Sequence, residues 1–300
     1  MTDARVSALI GAELGVTDLG RAEEFYTTLW GLRTVAQGDG VRYLRATGPA
    51  HHVLVLHQRP QTELVCVNLE APDNDAVDAL CARVTDAGLP VAEAPAPLSR
   101  PGGGYGFLFQ DAEGRFMRVI ADFAQHADTD DAVDRPRKIS HVVLNSTDVA
   151  KGVAFFSGVL GFKVSDETRR MTFLRCNSDH HSIALVHADH SALHHIAYEM
   201  PDIDGVMRGA GRLQDGGIEM AWGVGRHGPG NNVFAYFIEP AGSAIEYTTD
   251  VQQVDDSYPV GKPDDWTWPP GRNDHWGIAR GPVKELGQAQ AAFAPASAAP

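Results

Sequence analysis

Apolar and polar positions alternate along this chain in a succession of rhythms that is written out four times. Ile139-Ser140-His141-Val142-Val143-Leu144-Asn145 is β-branched and alternates as a half-buried strand does. Val149, Val153, Phe156 and Leu160 then fall at helical spacing. Ser146 or Thr147 stands where a helix cap is needed, Asp148 suits the first turn, and Gly161 supplies the stop. Short strands are expected near residues 162–164, 171–176 and 182–186. The pattern then restarts. It gives a strand over 193–199, a helix over 202–213 and a strand over 217–223. Strands over 232–238 and 244–248 form a hairpin across Pro240-Ala241-Gly242.

The first half repeats the second. With Thr17-Asp18 set on Thr147-Asp148, Phe25-Tyr26-Thr27-Thr28-Leu29-Trp30-Gly31-Leu32 lies on Phe155-Phe156-Ser157-Gly158-Val159-Leu160-Gly161-Phe162 without a gap. That half ends in a strand at 107–109, a turn at Asp111-Ala112-Glu113-Gly114 and a strand at 116–119. The implied class is α+β, tandem βαβββ units forming two homologous modules. The modules are expected at 1–123 and 138–285, joined by a polar linker over 124–137. After Asp250 the chain turns irregular and rich in Trp and Pro, through Trp266-Thr267-Trp268-Pro269-Pro270, and should wrap over the second module. The tail at 286–300, Ala/Gln/Pro-rich from Gln288, is expected to be disordered and dispensable.

Composition narrows the partners. At 300 residues and 43% apolar content, two cores are affordable. The net charge of −14, from 39 acidic and 25 basic side chains, comes with no basic stripe and argues against nucleic acid. Met1-Thr2-Asp3-Ala4-Arg5 opens no signal peptide, and no apolar run reaches the roughly 18 residues of a membrane span. A cytoplasmic protein with no membrane partner is expected. Cys66, Cys81 and Cys176 lie far apart, which disfavours a disulfide framework and a thiolate zinc site.

The repeat also isolates chemistry. His141, His195 and Glu246 in the second copy face Gly11, Cys66 and Arg118 in the first. Two imidazoles and a carboxylate are the set that binds mononuclear non-haem iron(II) with coordination positions left open. A single strand histidine is more often a core or edge residue; three ligand types on three strands of one module change that balance. His194 should point away from His195, as an outer-face or supporting residue. The doublet His180-His181 is matched by His51-His52 in the first copy, so its presence alone carries little weight.

The segment Gly225-Arg226-His227-Gly228-Pro229-Gly230-Asn231-Asn232, leading through Tyr236 and Glu239-Pro240 to Ile245-Glu246-Tyr247, strongly resembles the signature of type I extradiol ring-cleaving dioxygenases. These belong to the vicinal oxygen chelate superfamily, whose glyoxalase-like modules are half-barrels. The resemblance covers about residues 8–280. It implies His141, His195 and Glu246 as ligands of Fe(2+), with Mn(2+) as a substitute and O2 as co-substrate. It implies insertion of both oxygen atoms into a catecholic ring, with cleavage adjacent to the diol. His181 matches the acid–base histidine, His227 one that hydrogen-bonds the substrate or attacking oxygen, and Tyr236 one that contacts the metal-bound phenolate. Asn232, or its neighbour Asn231, matches a further polar contact. Arg272 stands near an arginine that meets a charged substituent. Trp222 replaces another such arginine, which leans toward a neutral, hydrophobic catechol. A homo-oligomer is also implied. Two other readings stay open: a glyoxalase-like isomerase or lyase, and a metal-free binding module.

Overall fold

The computed structural model describes residues 4–129 and 132–300. The expectations for the extreme N-terminus and for the middle of the linker fall on residues 1–3 and 130–131 and lie outside the described residues. The first module holds β1 (Ala8–Val16), α1 (Leu19–Glu24), β2 (Arg33–Gly38), β3 (Val41–Arg45), β4 (Leu54–Gln58), β5 (Glu63–Glu70), α2 (Asn74–Asp86), β6 (Val91–Pro97), β7 (Tyr105–Gln110) and β8 (Phe116–Ala121). The second holds β9 (Lys138–Ser146), α3 (Val149–Gly158), β10 (Lys163–Glu167), β11 (Met171–Arg175), β12 (Ile183–His187), β13 (Ala192–Glu199), α4 (Ile203–Asp215), β14 (Trp222–Arg226), β15 (Val233–Ile238) and β16 (Ala244–Thr249). A C-terminal α5 (Lys284–Ala289) and β17 (Ala294–Pro295) follow.

Each module is one eight-strand path, β2-β3-β4-β1-β5-β8-β7-β6 and β10-β11-β12-β9-β13-β16-β15-β14, which is the doubled βαβββ plan read from the sequence. The two inner strands of each, β1 with β5 and β9 with β13, run antiparallel, and each is flanked by a parallel neighbour. Register fixes the repeat at single-residue precision. Glu13 pairs with Cys66 and Asn68 with Arg118, as Val143 pairs with His195 and Ala197 with Glu246. Gly11, Cys66 and Arg118 are therefore the true counterparts of His141, His195 and Glu246.

Aspartates start the helices. The side chains of Asp18, Asp73, Asp148 and Asp202 accept from Arg21, Ala76, Lys151 and Gly205 backbone N–H groups. This corrects the expected Ser146 or Thr147 cap of α3. Both hydroxyl-bearing residues are engaged elsewhere, with Ser146 Oγ and Thr147 N and Oγ1 all donating to Glu113 Oε1 of the first module. The strand expected at 217–223 also moves. The turn after α4 occupies Gly216 and Gly217, the latter at φ +80°, and β14 starts only at Trp222.

One apolar core runs through both modules. Trp30, fully buried, stacks on Tyr247 with ring centroids 3.8 Å apart, and Tyr247 Oη donates to the Trp30 carbonyl at 2.6 Å. The tail is a correction: it is folded. Phe293 is fully buried, the Leu193 amide donates to its carbonyl, and Ala294–Pro295 pairs in parallel with β5. Its low complexity hid one anchoring phenylalanine and a run of backbone bonds that needs no side-chain signal. The expected linker packs too, through a bridge between Ala50 and Gln125 and an ion pair from Arg45 to Asp128. No helix among the described residues is long and apolar enough to cross a membrane.

Candidate metal centre

The three central strands β9, β13 and β16 each deliver one ligand candidate to the same face. His141 Nε2 lies 3.4 Å and His195 Nε2 3.2 Å from Glu246 Oε2. Ligand atoms of the three residues all lie within 4.8 Å of one another, and among the described residues this is the one such His/Cys/Asp/Glu group. Bonds of about 2.1 Å at right angles put neighbouring donor atoms about 3 Å apart, close to the two measured edges. Glu246 is fully buried, and its Oε2 accepts no hydrogen bond. A buried acceptor aimed between two imidazoles is costly unless a cation meets it, so the donor set fits a divalent metal.

Supporting contacts orient the ligands. Ser140 Oγ lies 3.2 Å from His141 Nδ1, and Asn232 Nδ2 donates to Thr248 Oγ1 at 2.8 Å and Glu246 Oε1 at 3.4 Å. His194 Nδ1 stands 2.6 Å from His195 Nδ1, and both residues line the same cavity. This overturns the outward direction expected for His194. A β-bulge between Leu193 and His195 opposes two residues to one on β9, and so breaks the alternation on which that expectation rested.

The ligands open onto a cavity of about 750 Å³. His181, His227, Asn232, Tyr236 and Arg272, all expected at the site, line it. The His181 ring centre is 4.3 Å from that of His141, and His227 Nε2 is 3.2 Å from Tyr236 Oη. Met171, Phe173, Trp222 and Trp266 add apolar wall, while Arg169 and Arg170 add charge. The two arginines escaped the sequence reading because nothing in a turn between short strands shows which cavity it borders. Walls from β11, β12, β14 and β15 enclosing one space require the second sheet to curl, as expected of a half-barrel.

Burial governs the electrostatics. Desolvation alone would raise the Glu246 carboxyl, but the adjacent His141 and His195 reverse this and hold it well below the usual carboxylate range. Burial, with His141 and His180 nearby, keeps His181 well below the ordinary histidine value. It brings His227 down to about 4 against the pull of Glu246, and it lowers His195 as well. Burial and Glu246 push the Tyr236 phenol up. At neutral pH His181 and His227 are therefore unprotonated, and Tyr236 keeps its phenolic hydrogen.

The first module has closed this space. At Gly11 a Cβ would come within 3.0 Å of the Val53 carbonyl. Arg100 fills the centre instead, 2.8 Å from buried Glu13, which also meets His57 at 2.8 Å. Arg118 points to Glu93 at 2.6 Å.

A glyoxalase/bleomycin resistance protein/dioxygenase superfamily model matches residues 9–116 and 138–247. The chain belongs to this superfamily. It is 34% identical over 139 residues to Metapyrocatechase 2 of Cupriavidus necator, a match covering 45% of this chain and 41% of that protein. The chain thus matches less than half the length of that relative. Biphenyl-2,3-diol 1,2-dioxygenase of Metapseudomonas furukawaii is 25% identical over 264 residues, covering 82% of this chain and 86% of its own. Among solved structures, a Mn(II)-bound glyoxalase from Novosphingobium aromaticivorans superposes with a TM-score of 0.88. It is 40% identical, with 98% of this chain and 96% of that one covered.

Proposed function

We propose that the chain is an extradiol dioxygenase that opens a catecholic ring beside its diol, using Fe(II) or, in its place, Mn(II). One observation carries the reading: two imidazoles and an orphaned carboxylate oxygen, all from one module, face a cavity walled by His181, His227 and Tyr236. A relative of Rhodococcus jostii named as an iron-dependent extradiol dioxygenase supports iron, and the Mn(II)-bound neighbour supports manganese.

The metal would be held by His141 Nε2, His195 Nε2 and Glu246 Oε2, and when bound supplies open positions at which a catecholate and dioxygen can meet. The residues around it do the rest. His181, unprotonated and beside His141, takes the proton of the second hydroxyl and later returns it to oxygen. Tyr236 Oη and His227 Nε2, 3.2 Å apart, form a polar edge that orients the ring and steadies anionic oxygen. Trp222 and Phe173 exclude water and favour a hydrophobic ring, with Arg272 near enough to meet a polar substituent. The test is anaerobic iron loading followed by oxygen consumption across a panel of catechols. Uptake with a yellow ring-fission product is expected, and its loss in His181→Phe. No uptake with any catechol, or full turnover by that variant, overturns the reading.

A second reading is favoured by the 40% identity to a protein named a glyoxalase: an isomerase or lyase on the same metal. Against it, Arg118 stands where the first module would need a carboxylate ligand. Turnover without oxygen would select it.

A further inference from the structure

We propose that Asp166 is a positioning residue which, acting through His180, fixes His181 in the tautomer that carries its hydrogen on Nδ1 and leaves Nε2 bare for the cavity. This rests on the reading of His181 as the proton-transferring group.

The contacts form an unbroken buried chain. His181 Nδ1 lies 3.1 Å from His180 Nδ1, and His180 Nε2 lies 2.8 Å from Asp166 Oδ2. Asp166 Oδ1 accepts the Gly261 N–H at 2.8 Å, and the Tyr258 hydroxyl reaches both oxygens at 3.3 and 3.4 Å. Asp166 and His180 are fully buried and His181 nearly so. Direction propagates along such a chain. A carboxylate only accepts, so His180 donates from Nε2; an imidazole with one ring hydrogen then has a bare Nδ1. That nitrogen accepts from His181, whose hydrogen is thereby held on Nδ1. Nε2 is left as the nitrogen available to the cavity that His181 lines.

The duplication supplies an internal comparison. His51 and His52 repeat the doublet, with Nδ1 atoms 3.0 Å apart. Register sets Ala36 opposite Tyr43 in the first module and Asp166 opposite Phe173 in the second, so the counterpart of Asp166 is an alanine. His51 stacks on His126 instead of meeting a carboxylate. The acid thus accompanies the doublet in the module that bears the metal ligands. Placing an aspartate and a histidine together at zero exposure carries a desolvation cost that packing with apolar residues avoids. A device that orders protons explains the placement; core stability does not.

The geometry also names the decisive variant. In Asp166→Asn the amide oxygen stays on the Gly261 N–H and turns NH2 toward His180 Nε2. His180 must then accept there, donate from Nδ1, and drive the His181 hydrogen onto Nε2. In a serine-protease triad the same replacement produces the wrong tautomer and costs about 10⁴ in kcat. Here kcat is expected to fall about 10²-fold or more with KM nearly unchanged.

The test is nitrogen-15 NMR of histidine-labelled full-length protein loaded with diamagnetic Zn(II), the His181 signals being those lost in His181→Asn. Wild type should show Nδ1 protonated and Nε2 bare, and Asp166→Asn the reverse. A wild-type His181 with hydrogen on Nε2, a His180 protonated on both nitrogens, or a tautomer indifferent to Asp166→Asn overturns the proposal. Should that variant fail to fold, the wild-type spectrum decides alone. The predicted tautomer together with undiminished turnover in His181→Phe would remove the catalytic reading and leave the chain standing. A tautomer insensitive to Asp166 with turnover lost in His181→Phe would do the opposite.

Discussion

Replacing Asn232 with alanine separates a carboxylate held ready for a cation from one that is only buried. Asn232 is fully buried, and its Nδ2 donates to Thr248 Oγ1 at 2.8 Å and to Glu246 Oε1 at 3.4 Å. Thr248 uses its own hydrogen on the Val233 carbonyl at 2.8 Å, so truncation strips its oxygen of this donor and cannot be repaired by rotation. The bond to Thr248 is worth about 1 kcal/mol, and the metal-free protein should be less stable by about that much. The contact to Glu246 is at the long edge of hydrogen-bonding range. That places the loss of metal affinity at the lower end of what supporting residues give, about tenfold or 1.4 kcal/mol. Anaerobic competition against a chelator measures the affinity, and urea unfolding of metal-free protein measures the stability. A dissociation constant within about twofold of wild type, in a variant that has lost the stability, would refute the orienting role.

Other consequences follow from the same structure. Trp30→Ala empties the stack against Tyr247 and should cost about 3–5 kcal/mol in urea unfolding, in one transition because the core is continuous. Two separate transitions in wild type would contradict that continuity. Deleting residues 291–300 removes fully buried Phe293 and the pairing with β5, and should lower stability by about 3 kcal/mol; an unchanged melting temperature would restore the view of a dispensable tail. Burial, helped by Arg100, brings His52 down to about 3. The unfolded chain takes up this proton near pH 6.5 and the folded one only near 3, so the stabilisation is complete above 6.5 and lost as pH falls between them. Up to about 4 kcal/mol is at stake at pH 3. His52→Phe should flatten that part of the pH–stability curve relative to wild type, and an unaltered curve would reject the assignment.

Much of this was legible in the sequence because duplication and strand pairing are both periodic. The gap-free match of Phe25–Leu32 on Phe155–Phe162, carried outward with short gaps, correctly paired Gly11, Cys66 and Arg118 with the three ligand candidates. What failed was whatever breaks a period. The bulge at His194 breaks alternation, and the glycine turn after α4 delays β14. The tail at Phe293 relies on backbone pairing that composition does not reveal. Asp166 stood in plain view on β10, yet its bond reaches His180 in the loop between β11 and β12, with the whole of β11 intervening in sequence. Only coordinates bring those two side chains together.

The central claim is that this site puts dioxygen into an aromatic ring, and labelled gas tests it most directly. Iron-loaded enzyme given a catechol under oxygen-18 gas should yield a ring-opened acid carrying both heavy atoms, one molecule of gas consumed per ring, and no product from Glu246→Ala. A product formed without oxygen, or one with its ring intact, would contradict the account.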